Sequence, residues 1–541
     1  YIERPETGGR GRGPDADGEG GGSRLHRYDL GQRRDSVVQS GVRAYELTPD
    51  GRKMLYSAGR NAWYITTVGG GGGGAPSGAS APAGRGRGGP PGRRPGGAPA
   101  PEGGSGGSGN RLDLDAIEIK IDPVAEWPQI FNEAWRINRD FFYAPNMHGA
   151  DWEAMRAKYR PFVDHCATRE DLNRVIQWMC SELAVGHHRG GGGDRLYKTE
   201  PVPGGLLGAD YEIADGRYRF KKVYGGLNWS PELRAPLTEP GVNVKAGEYL
   251  LAVRGKDLRP PENLYAFFEN TSGKQIDITV GPKPDGTGSR TVTVRPIGDE
   301  LSLRNRAWVE GNLRKVHEAT GGRVAYVYVP DTAATGRSYF KRYFFPQVDK
   351  EAIIIDERFN SGGQIADYYI NLLRQPFLSY WAPRHGADWR SPSAAIHGPK
   401  VMIIDETAGS GGDLLPWMFR KLNLGTLVGK RTWGGLVGVS GYPVLMDGGR
   451  VTAPSFAIWV PEQGWVVENE GVPPDVEVEQ LPAEVMAGRD PQLEKAIEIV
   501  LKELEKTPPN HHCRPPFPVR ALPGARLTAE QKGENQKGES K

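Results

Sequence analysis

Short apolar runs ended by glycine turns recur through the C-terminal half of the chain. Ala352-Ile-Ile-Ile-Asp356 leads into Glu357-Arg-Phe-Asn-Ser-Gly-Gly363, and Val401-Met-Ile-Ile404 leads into Asp405-Glu-Thr-Ala-Gly-Ser-Gly-Gly-Asp413. An unbroken apolar run closed by a turn is how a strand covered on both faces reads in sequence. Helical periodicity follows each turn, through Leu373 in the first unit and from Asp413 to Leu422 in the second. Two strand–glycine turn–helix units predict an α/β layered domain over 298–506, closed by a helix from Pro491 to Glu505.

Upstream the period changes. After Pro128, which suits a first helical turn, Ile130, Ala134, Ile137 and Phe141 recur at helical spacing. A second helix starts at Thr168 with Asp171 three residues on, a near capping box. It buries Leu172, Val175, Ile176, Met179 and Leu183 and stops near Gly186, a residue suited to a left-handed C-terminal position. These helices place a helical domain at 111–202, with alternation at Arg111 to Ile121 reading as a strand. Residues 203–297 are strand-rich. Between 25 and 68, four strand candidates begin at Leu25, Ala44, Lys53 and Ala62, with Pro49-Asp50-Gly51 as a hairpin turn. Four short strands in about forty residues match one blade of a β-propeller. One blade cannot bury its own core, so its companions are missing or supplied elsewhere. Residues 1–24 read as a loop, 69–110 as a Gly/Pro-rich linker and 507–541 as a disordered tail.

Composition narrows the classes. A length of 541 residues implies about three or four domains. A formal charge of +3 gives no global field for nucleic acid, and the arginines of the glycine-rich stretches read as solvated linker. Three cysteines form no C-x-x-C, and His511-His512-Cys513 in the tail reads as incidental, so neither a disulfide framework nor a metal site is expected. No 18-residue apolar run or signal peptide is present, so no membrane span is expected. Tyr1 opens the chain without an initiator Met, and the chain is expected to be an N-terminally truncated fragment. Walker A, H-E-x-x-H and G-x-S-x-G motifs are absent, and no cofactor is implied.

Ser410 carries the candidate chemistry. At the N-terminus of a helix, unpaired N–H groups and the positive dipole end favour a developing oxyanion. A serine there is equally an N-cap. His187 and His188 lie just past a helix end, more often a surface position than a catalytic one. Four motifs then occur in order: Glu182-Leu-Ala-Val-Gly-His187, Arg358-Phe-Asn-Ser-Gly-Gly363, Ala408-Gly-Ser-Gly-Gly-Asp413 and Glu468-Asn-Glu-Gly-Val-Pro-Pro-Asp475. Between the first two, Glu239 to Asp257 resembles the signature of a PDZ domain, whose carboxylate-binding loop would be Gly205-Leu206-Leu207-Gly208.

This layout resembles the tricorn protease family, within the serine peptidases of family S41, over residues 125–505. The resemblance implies a ClpP/crotonase-like layered catalytic domain, a small helical domain carrying the base, an inserted PDZ domain and a β-propeller remnant. It implies Ser410 as nucleophile, His187 as general base, Glu468 as the group that orients the histidine, and the N–H groups of Gly362 and Gly411 as oxyanion hole. His188 and Glu470 are the alternatives for the base and its partner. It further implies short unfolded peptide substrates, a ring-like homo-oligomer (a hexamer) and a cytoplasmic location, or a periplasmic one if an export signal preceded Tyr1.

Three departures stand out. Gly186 replaces a serine that precedes the base in the family archetype, and Gly411 replaces an acidic residue after the nucleophile. Gly435 stands where Ser–Lys processing peptidases carry their lysine, and Lys430 reads as a surface or positioning residue. The apolar stretch Leu378 to Pro383 suggests a hydrophobic or mixed preference at the cleaved bond. The alternative to an enzyme is a catalytically decayed, PDZ-containing peptide-binding scaffold.

Overall fold

A computed structural model describes residues 2–3, 23–58, 62–68, 110–507 and 513–520, apart from 115, 119, 196, 198 and 519. The chain divides into units Tyr1–Pro123 and Val124–Lys541. The expected loop over 1–24, the linker over 69–110 and the tail after 507 fall mostly outside the described residues, as do His511 and His512.

The N-terminal unit holds two antiparallel sheets. Ile2–Glu3, Arg24–Asp29 and Arg34–Ser40 form one, and Ala44–Leu47, Lys53–Ser57, Trp63–Thr67 and Asn110–Arg111 form the other. The four strands expected to share one blade are therefore split. The strand at Leu25 pairs with Arg34–Ser40, a mostly polar segment with little alternation to betray it. The second sheet gains Asn110–Arg111 as its outer strand, and the strand expected as far as Ile121 stops there. Leu25, Val42, Met54 and Tyr56 make a small core.

In the second unit, the first helix runs Pro123–Phe141, so Pro128 lies inside it rather than at its first turn. A proline so near the start removes only one intrahelical bond. Helix Trp152–Val163, capped by Asp151, was not legible in the periodicity. The capping box of Thr168 and Asp171 opens helix Arg169–Ser181, which ends five residues before Gly186. These helices share a core with Val437, Leu445, Val451 and Ala453 of the C-terminal segment. Main-chain pairing of Gly190–Gly191 with Arg450–Val451 adds to this junction, as does the buried Arg169–Asp447 ion pair at 2.6 Å.

Six antiparallel strands form the inserted domain: Arg290–Val294, Ile276–Gly281, Tyr249–Val253, Arg217–Val223 and Ala209–Ala214 in that order, with Lys256–Asp257 paired to Tyr249–Val253 off this path. Leu206 and Ile297 exchange both main-chain hydrogen bonds, at 2.8 and 2.9 Å, where the insert begins and ends.

The C-terminal segment is built on a parallel sheet of Val324–Tyr328, Ala352–Asp356, Lys400–Ile404, Thr426–Gly429 and Val476–Glu477, adjacent in chain order. Right-handed crossovers between adjacent parallel strands put the connecting helices Ala334–Phe344, Ala366–Leu373 and Gly411–Lys421 on one face. Helices Leu301–Thr320 and Pro491–Lys506 pack on the sheet and on each other. Every residue of Val324–Tyr328 and Ala352–Asp356 is buried, as the unbroken apolar runs require. Among the described residues no helix is long and apolar enough to cross a membrane.

Candidate active site

Crevices at the C-terminal ends of parallel strands are where α/β sheets bind ligands, because the loops there are free to vary over a rigid base. A cleft of about 400 Å³ lies at these ends, lined by His187, Arg189, Asn360, Ser361, Glu406, Thr407, Gly409, Ser410 and Trp433. Ser410 follows strand Lys400–Ile404 and stands at the N-cap of helix Gly411–Lys421. Its φ of 58° and ψ of −114° are a costly conformation for a residue with a side chain. The surroundings hold it there. Its carbonyl accepts from the N–H groups of Asp413 and Leu414, and its own N–H donates to Asp413 Oδ2 at 2.7 Å.

Asp413 also accepts from the Gly434 N–H at 2.7 Å and the Gly435 N–H at 3.2 Å. It thereby joins the Ser410 turn to the Trp433–Gly435 loop. Burial holds its carboxyl above the usual range, against the pull of these donors. Sequence reading took Asp413 only as a helix start. The S-x-x-D spacing of a capping box was the available signal.

The two histidines part company. His187 is half-buried and lines the cleft with Ser410, whereas His188 is buried and its Nε2 bonds Asn138 Oδ1 at 2.9 Å. His188 also stacks on Phe142, and burial lowers its pKa to about 4. Burial likewise lowers the pKa of His187, opposed by the Glu468 charge and reinforced by that of Arg189. The His187 Nδ1 is buried without a hydrogen-bond partner among the described residues, and no hydrogen bond joins the ring to Ser410 Oγ. Glu468 does not bond the ring. Its carboxylate accepts three main-chain donors: Gly186 N at 2.8 Å and the Leu436 and Val437 N–H groups at 2.6 Å each. Glu468 thus fixes the turn that carries His187, while Glu470 is exposed.

Packing accounts for the glycine departures. A Cβ on Gly186 would lie 3.0 Å from Trp433 Cζ2 and 3.2 Å from Gly435 Cα, so the indole would have to give by a few tenths of an ångström to admit a serine. A Cβ on Gly411 would overlap Thr332 Oγ1 and the Gly363 carbonyl, which leaves no room for an acidic side chain. Gly362 has φ of 88°, and a Cβ there would come within 2.7 Å of Ser410 Cβ. Its N–H is already donated to Asn360 Oδ1 at 2.9 Å. The Gly411 N–H donates to no group among the described residues. Asn360, which also approaches Glu357 Oε2 at 3.4 Å, was not singled out from sequence.

Other expected residues lie elsewhere. Lys430 pairs with Glu477 and Glu479 at 2.6 and 2.9 Å, outside the cleft. Ser379–Trp381 pairs with Trp389–Ser391 in an exposed hairpin, and no residue from Leu378 to Pro383 lines the cleft. The proposed source of a hydrophobic preference is therefore not in contact with the nucleophile's surroundings. In the inserted domain, the Gly205 and Leu206 N–H groups donate to the Phe268 and Ile297 carbonyls, and the Gly208 N–H donates to Glu300 Oε2 at 3.0 Å. A groove bordered by Asp210, Tyr211, Ile213, Tyr218, Leu264 and Tyr265 runs beside the edge strand Ala209–Ala214. Among the described residues, no cluster of His, Cys, Asp and Glu could hold a metal ion.

Comparison with known proteins matches three segments to described families: the tricorn protease C1 domain at 123–181, the tricorn protease PDZ domain at 205–299 and peptidase family S41 at 323–478. Tricorn protease homolog 1 of Streptomyces coelicolor is 38% identical over 402 residues, which is 73% of this chain and 37% of that protein. The tricorn protease of Thermoplasma acidophilum is 34% identical over 379 residues, 70% of this chain and 35% of that protein. The chain thus spans little more than a third of these two relatives. A crystal structure of the tricorn protease superposes with a TM-score of 0.76 at 28% identity, covering 89% of this chain and 43% of that one.

Proposed function

Because the chain belongs to the tricorn protease family, we propose that it is a serine endopeptidase that hydrolyses short unfolded peptides through an acyl-enzyme at Ser410. The observation that carries this reading is the strained Ser410 at a helix N-terminus, sharing one cleft with a half-buried histidine.

His187 is the general base. Burial keeps its imidazole neutral near pH 7, the form able to take the Ser410 proton as Oγ attacks the peptide carbonyl. The tetrahedral intermediate collapses when the protonated histidine returns that proton to the leaving amine. Water then repeats the sequence on the acyl-enzyme. Catalytic hydrogen bonds are often absent before substrate binds, so the Ser410–His187 contact forms in the complex. The open Gly411 N–H is one oxyanion donor. The Gly362 N–H is the other, once substrate draws it from Asn360. Each such donor is worth about 10²–10³ in turnover. Glu468 serves through the main chain, holding Gly186 and so the base. The family reading also carries the propeller remnant, a ring-like hexamer and a cytoplasmic location.

Labelling with a fluorophosphonate tests the assignment. We expect the parent chain to react, and Ser410→Ala and His187→Ala each to lose the label. Retained labelling in His187→Ala would remove the base from that residue. An unreactive parent would overturn the nucleophile.

A further inference from the structure

We propose that Arg189 and Trp433 hold a carboxylate of the bound peptide beside Ser410, making carboxylate-bearing peptides the preferred substrates. The inference rests on the peptidase reading above. Among the described residues, Arg189 is the only arginine or lysine lining the cleft. Its Nη1 donates to the carbonyls of Gly186 at 2.7 Å and His188 at 3.0 Å. A guanidinium has five N–H donors, and those two bonds use both hydrogens of Nη1. The Nε–Nη2 edge has no hydrogen-bond partner and no carboxylate within ion-pair distance among the described residues. That edge is the fork that grips a carboxylate with two parallel bonds.

The fork is held in place. The guanidinium lies 5.5 Å from the Trp433 ring centre, and the indole meets His187 edge-on at 5.2 Å. Trp433 is itself braced by glycines: a Cβ on Gly409 would lie 2.5 Å from its Cε3, one on Gly435 2.3 Å from its Cζ3 and one on Gly186 3.0 Å from its Cζ2. Its remaining surface, 42% of the residue, is exposed. An arginine anchored at one nitrogen and stacked on a fixed ring gives up little side-chain freedom when a ligand binds. Glu406 also lines the cleft but makes no ion pair with Arg189, so its carboxylate does not occupy the fork.

The carboxylate can be the peptide's C-terminus or an acidic side chain near the scissile bond. Matched peptides separate the two: free acid against C-terminal amide, and Glu against Gln beside the cleaved bond. Hydrolysis is measured on the parent chain and binding on Ser410→Ala. We expect the acid of at least one pair to be favoured by about tenfold or more in both kcat/KM and affinity, as a charge-assisted bidentate contact gives. Arg189→Gln should bring that ratio close to one, and Arg189→Lys should keep part of it. A ratio between paired peptides is insensitive to any loss of His187 positioning. The pair that discriminates names the source. Equal treatment of both pairs by Ser410→Ala, or a ratio unchanged in Arg189→Gln, overturns the proposal. Because Ser410→Ala needs no catalysis, its binding result stands even if the parent fails to react with fluorophosphonate, which would overturn only the peptidase reading.

Discussion

His187 sits between two charges of opposite effect, and its titration gives the sharpest residue-scale prediction. Burial is the largest influence and lowers its pKa, with Glu468 raising and Arg189 lowering it. The neutral ring is the reactive form. The rate of Ser410 labelling should therefore rise with pH through a midpoint below the ordinary histidine value of about 6.5. Arg189→Gln removes a positive neighbour, so protonation becomes easier and the midpoint should move to higher pH. Arg189→Lys should leave it near the parent value. A pH series of labelling rates checks both shifts. Gly362 packs against Ser410, whose placement at a helix N-terminus was legible from its motif. What separates His187 from His188 was not, because Asn138 and Phe142, which hold His188 in the helical core, lie far away in sequence. Arg189 and Trp433 were equally illegible as a pair, since only the fold stacks one over the other.

At the scale of elements, the nucleophile turn and the Trp433 loop are joined through one carboxylate. Asp413→Ala would leave the Ser410, Gly434 and Gly435 N–H groups without their acceptor. Each unpaired buried donor costs about 1–3 kcal/mol, so a loss of at least about 2 kcal/mol is expected in urea unfolding, together with slower labelling. Asn would restore little, because its amide turns a donor toward donors. Two of the five parallel strands, Ala352–Asp356 and Lys400–Ile404, were legible because both faces are covered and their apolar runs are unbroken. The grouping of the N-terminal strands was not, because Arg34–Ser40 carries its apolar residues as a neighbouring pair, Val37 and Val38, instead of alternating. Helix Trp152–Val163 escaped notice for a similar reason. Only Trp152 and Val163, at its two ends, are buried.

For the whole catalytic unit, Arg358 is the fastening between sheet and final helix. Its guanidinium bonds both Asp356, at the end of a central strand, and Asp490, which caps helix Pro491–Lys506. Removing one member of a buried ion network leaves uncompensated charge and costs about 3–5 kcal/mol. Arg358→Ala should lower the unfolding free energy by that amount, as read by urea denaturation, while Lys430→Ala, which breaks only an exposed pairing, should barely move it. The order of the domains was legible because each has its own period. Their junctions were not, because the buried Arg169–Asp447 pair and the Gly190–Gly191 pairing connect distant segments. The doubly bonded Leu206 and Ile297 have one further consequence. The inserted domain leaves the chain and rejoins it at a single point, so it is a cassette. A short turn could close the gap its excision leaves, and the two halves of the cleft, one on either side of it in sequence, would still meet.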